Sequence, residues 1–73
     1  MNSKYTPAPK DRLGWLDQVT EEAAEVIKAI PKFKRFGPKA TDPHTGKMYD
    51  NRDDLLTELE DLEAATEHLR SLL

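Results

Sequence analysis

The chain has 73 residues, a formal net charge of −3 and no cysteine, which limits it to one domain near the lower size for a self-sufficient core and makes self-association expected. Lack of cysteine excludes disulfides, thiolate catalysis and Cys-based zinc sites, and fits a reducing compartment. The acidic balance disfavours nonspecific binding to a nucleic acid polymer, where affinity comes mainly from cations meeting phosphates.

No stretch approaches the roughly 20 apolar residues that cross a bilayer, and residues 1–10 hold neither a signal core nor an Arg-rich presequence, so a soluble, unprocessed, cytoplasmic protein with no membrane partner is expected. Although 34% of residues are charged and 37% hydrophobic, the apolar ones are patterned, which argues against disorder.

Residues 1–10 (MNSKYTPAPK) carry two prolines and no periodicity, so they read as an extended arm ahead of a helical domain over residues 11–73. Asp11 can cap a helix that starts after it. Leu13, Leu16, Val19, Ala23, Ile27 and Ile30 recur at spacings of three and four and define a first helix over about 11–30. Pro31 has no N–H to give the carbonyl of Ile27, so the helix is expected to kink or end there. KFKRFG then adds one or two turns, as a short connecting helix stopped by Gly37-Pro38.

Residues 37–50 (GPKATDPHTGKMYD) are rich in Gly, Pro and small polar residues and read as a loop. TDPHTGK lacks the strand and glycine spacing of a phosphate-binding loop. Asp50 or Asn51 then supplies an N-cap, and Asp53 and Asp54 suit the positive end of a helix. Leu55, Leu59, Leu62, Thr66, Leu69 and Leu73 continue at helical spacing.

The expected fold class is therefore all-α: a helical hairpin of two long helices plus a short connecting helix. A hairpin alone leaves apolar surface exposed. Assembly into a four-helix bundle, as a homo-oligomer of two or four chains, would bury it.

The acids fall into two classes. With about 100° per residue and Leu55 at zero, the apolar arc of the last helix runs from about 260° through zero to 40°. Glu58 lies inside it at about 300°, and Asp61 at its border at about 240°, whereas Glu60, Glu63 and Glu67 sit on the solvated side. On the first helix, with Leu13 at zero, Glu22 at about 180° adjoins the apolar arc of about 200° to 20°, and Glu25 at about 120° lies one turn on. Glu21, near 80°, projects away.

Packing the two apolar faces together brings Glu22, Glu25, Glu58 and Asp61 toward one place. Carboxylates so placed must meet protons, cations or basic side chains. A divalent ion with oxygen-only ligation, Mg²⁺ or Mn²⁺, answers that need. A salt bridge to Lys28, Lys34 or Arg35 accounts for Glu58 too, and acid pairs at this spacing are frequent on simple solvated faces.

Glu21-Glu22-Ala23-Ala24-Glu25 followed by Glu58-Leu59-Glu60-Asp61 resembles the EExxE and ExxD pair of the MazG-like all-α nucleoside triphosphate pyrophosphohydrolases. "EEAAEVIKAIPKFKRFG" and "NRDDLLTELEDLEAA" resemble the short bacteriophage and bacterial members, over about residues 16–68.

The resemblance implies Mg²⁺-assisted hydrolysis between the α and β phosphates of a nucleotide substrate, giving a monophosphate and pyrophosphate. It also implies host cytoplasm if the chain is phage-encoded. It implies metal ligands at Glu22, Glu25, Glu58 and Asp61, and a role for Glu21 in activating water or binding a further ion. The 32 residues between Glu25 and Glu58 form a longer spacer than is usual in the family, and Glu60 stands where many relatives have Gly. The chain also lacks the downstream helix from which longer relatives draw substrate contacts, so a neighbouring subunit is expected to complete the pocket.

Lys32, Lys34, Arg35 and Lys39 form the dense basic cluster. They either meet the phosphates or offset the negative end of a helix dipole; Lys34 and Arg35 are the substrate-binding candidates that the resemblance includes. Trp15, at about 200°, either stacks on a base or packs in the core or an interface. His44 and His68 lack ligand spacing and read as structural or solvent-facing. The competing function is a noncatalytic helical interaction or regulatory module that binds a nucleotide or a protein partner.

Overall fold

The computed structural model describes residues 11–73, so the arm expected over residues 1–10 lies outside it. Its order is α1 (Arg12–Phe36), β1 (Lys39–Thr41), β2 (Met48–Asp50) and α2 (Asn51–Ser71). Asp11 caps α1 as expected, its carboxylate accepting from the Gly14 N–H at 2.8 Å. Gly37 ends it with φ 77°, a left-handed conformation that glycine adopts without a Cβ penalty, and its N–H returns to the Phe33 carbonyl at 2.9 Å.

Pro31 neither ends α1 nor starts a separate connecting helix: one continuous helix passes through it. Proline removes a single intrahelical hydrogen bond, and its ring lies on the exposed face. Ala29 and Phe33 are half-buried on either side, so packing of both halves offsets a cost of about 3 kcal/mol.

The loop expected over 37–50 is a β-hairpin. Lys39, Ala40 and Thr41 pair antiparallel with Asp50, Tyr49 and Met48. Its turn closes through Asp42: the backbone N–H bonds the Lys47 carbonyl, the backbone carbonyl accepts from Gly46 N–H, and the side chain accepts from His44 N–H, each at 2.8 Å. That is an Asx-type turn, with Gly46 at φ 74° supplying the left-handed residue. Lys39 and Asp50 face each other across the strands at 3.6 Å, an exposed pair of small energetic weight.

The hairpin is tied to α2 by Asn51, whose side-chain amide donates to the Gly37 carbonyl at 3.0 Å, and by the Arg52 N–H, which bonds the Pro38 carbonyl at 3.1 Å. Asp50 is the N-cap of α2, accepting from the Asp53 N–H at 2.9 Å. That hydrogen bond, helped by the Lys39 and Arg52 charges, outweighs desolvation and holds Asp50 below its usual pKa of 3.8.

The helices run antiparallel, because Trp15 meets His68 at one end and Gly37 meets Asn51 at the other. Their packing face takes in only the near side of the apolar arc of α1. Gln18, Glu22 and Val26 are the buried residues of α1, at about 140°, 180° and 220° on the wheel that has Leu13 at zero. The far side of the arc is left open, with Leu13 70% and Ile27 68% exposed.

The molecule measures 45 × 22 × 14 Å, about one helix thick in its smallest dimension. Among the described residues the buried hydrophobics are Val26, Ala65 and Leu69 alone, and no helix is long and apolar enough to cross a membrane.

Candidate metal centre and its adjoining cleft

The rotation of α1 puts a carboxylate at the middle of the helix interface. Glu22 is 0% exposed, and its Oε2 accepts a 2.7 Å hydrogen bond from the amide of Gln18, one turn earlier and also buried. From α2 come Glu58 and Asp61, half-buried and three residues apart. One carboxylate oxygen from each of Glu22, Glu58 and Asp61 lies within 4.8 Å of the others.

A donor set made only of carboxylate oxygens suits a hard divalent cation, so the three residues could hold a metal ion. Gln18 acts as an orienting group, since its amide fixes one Glu22 oxygen.

Glu25 is not in this trio. It stands one turn further along α1, 3.6 Å from the Lys28 ammonium, and shares with Glu58 a polar cleft whose other walls include Lys28, Lys32, Asn51 and Asp54. Glu58 thus belongs to both the acid cluster and the cleft. Glu21 is exposed, about 100° around α1 from Glu22.

Lys34 and Arg35 are exposed in the last turn of α1, where their charge offsets the helix dipole. Lys34 is about 18 Å along the axis from Glu22, at 1.5 Å per residue. The Arg35 guanidinium sits 5.4 Å from the Phe36 ring centre. Trp15 stacks on His68, with ring centres 4.2 Å apart and planes 24° from parallel, so one of its contacts within the chain is an aromatic ring.

Sequence reasoning passed over Gln18, offered Lys28 as one salt-bridge partner for the acids, and offered Asn51 only as an alternative N-cap. Gln18 precedes Glu22 by four residues, a spacing at which side chains meet on a helix; Lys28 follows Glu25 by three. Asn51 carried no signal for its actual role, a bond to a carbonyl fourteen residues earlier. No family model, curated protein or solved structure matches this chain, so its chemistry is argued from these distances.

Proposed function

We propose that the chain is a nucleotide pyrophosphohydrolase of the MazG-like kind, dependent on Mg²⁺ with Mn²⁺ as a substitute. The reading rests on one observation: a fully buried glutamate and two acids from a distant part of the sequence bring carboxylate oxygens within 4.8 Å of one another. Such a concentration of negative charge favours binding of a cation.

The ion would be held by Glu22, Glu58 and Asp61, with Glu25 one turn away on the cleft side. When bound, it would neutralise polyphosphate charge and acidify a water. Gln18 keeps the buried carboxylate oriented. Lys28 and Lys32 offer cations along the cleft for the phosphates. In the net reaction a water oxygen bonds to the α phosphorus as the water gives up a proton to solvent, the bond from that phosphorus to the α–β bridging oxygen breaks, and pyrophosphate leaves with its electron pair.

The open face of Leu13, Leu16, Ile27 and Ile30 supports the further proposal that two hairpins pair through it into a four-helix bundle. A second reading, a noncatalytic interaction module, draws on the same exposed face and on the internal partners Gln18 and Lys28. Incubation of a nucleotide panel with Mg²⁺ decides between them. Monophosphate and pyrophosphate are expected from the wild type and neither from Glu58→Ala; orthophosphate as first product, or undiminished activity in that variant, overturns the enzyme reading.

A further inference from the structure

The polar cleft beside Glu58 does not end at the helices. Lys32 and Asn51, which form one end of it, also line a second hollow walled by Phe36, Ala40 and Tyr49. Phe36, Ala40 and Tyr49 continue into a third, bounded by Pro43 at the turn of the hairpin. The three hollows thus share walls in sequence, from acids and lysines to aromatic surface. The aromatic end is built by the last turn of α1 and by the segment that the sequence marks only as a loop.

Tyr49 is held there by pairing with Ala40 across the strands, and Phe36 by the last turn of α1. Both remain open, at 39% and 56% exposure. Each has a cation near one ring face, Lys47 at 5.1 Å from the Tyr49 centre and Arg35 at 5.4 Å from that of Phe36. Asn51 is a rigid wall, since its amide is committed to the Gly37 carbonyl.

We propose that the hairpin is a base-binding shelf: the nucleobase of a nucleotide lies against Tyr49 and Phe36, and its phosphates run past Lys32 and Lys28 toward Glu58. Aromatic faces accept any base by stacking, and lysine ammonium groups attract phosphate without geometric selection. Asn51 and Glu58 are seven residues apart on α2, about 10 Å of axial rise, room for a sugar and its first phosphates. Trp15 takes no part, because it is stacked on His68 and lies on the other side of the acids, seven residues before Glu22. The shelf demands a base but discriminates weakly among bases, since stacking rather than base-edge hydrogen bonding holds it. The direction of the phosphates rests on the pyrophosphohydrolase reading; the stacking does not.

Titration of the full chain with adenosine monophosphate, without metal, and observation of aromatic ring protons by NMR tests the shelf. Upfield shifts are expected at Tyr49 and Phe36 and not at Trp15. Tyr49→Ala should weaken this binding about tenfold and Tyr49→Phe should retain it. With Mg²⁺, Tyr49→Ala should raise KM for adenosine triphosphate about tenfold, with a much smaller effect on kcat.

Shifts centred on Trp15 overturn the shelf. So does a Tyr49→Ala variant with native circular dichroism that binds and turns over nucleotide as the wild type does. Tyr49 shifts that follow protein concentration instead of nucleotide assign the surface to a second copy and also overturn it. Binding at Tyr49 and Phe36 with no hydrolysis by the wild type upholds the shelf and sinks the enzyme reading alone.

Discussion

Replacing Glu58 by Gln keeps the shape of the side chain and removes one charge from the acid cluster. Two unit charges 4.8 Å apart, the outer separation of the trio, repel by about 3.5 kcal/mol at an effective dielectric of about 20. Solvent screening and the other interactions these acids make in the fold offset part of that, leaving a net gain of about 1 kcal/mol expected for the variant in metal-free buffer. For a domain of this size, 1 kcal/mol moves Tm by about 4–8 °C. Metal acts in the opposite sense: at ten times its dissociation constant it should stabilise the wild type by about 1.4 kcal/mol, or about 6–11 °C.

Glu58→Gln should lose most of this metal response. Thermal melts followed by circular dichroism, with chelator and with millimolar Mg²⁺ or Mn²⁺, read both effects. A variant that melts below the wild type in chelator and responds equally to metal would show Glu58 to be an internally paired structural acid, and the proposed centre would be wrong.

Ile27→Glu places a charge on the open face of α1 at a residue that is 68% exposed in the single chain. The helix pair should stay folded while light scattering reports a fall from oligomer to monomer; an unchanged mass removes the pairing proposal. Asp50 has a folded pKa below 3.8, so its contribution to stability is fully present above the unfolded value and is lost as pH falls through the lowered one. Asp50→Asn retains a capping oxygen without the titration, so its acid-unfolding profile should be flatter below about pH 4. Identical profiles would refute that role of the cap.

Much of the fold was legible along the chain. Asp11, Gly37 and the Asp50 cap mark helix ends by local chemistry, and periodic leucines announce α2. Pro31 misleads because its penalty is local while the packing that overrides it is not. The hairpin escapes because strands of three residues are too short to display alternation. Asp42 and Gly46, four residues apart, were the readable trace of its turn.

The residues themselves determined that this chain forms two amphipathic helices and that acids lie beside their apolar arcs, because helical period and capping depend on neighbours within a turn or two. Which side of α1 faces α2 was decided only in three dimensions. The helix pair buries Gln18, Glu22 and Val26 and leaves Leu13 and Ile27 open, separating Glu25 from the trio of Glu22, Glu58 and Asp61. Hydrophobic periodicity marks which surface benefits from burial, but the partner that buries it is set by the shape of the whole assembly.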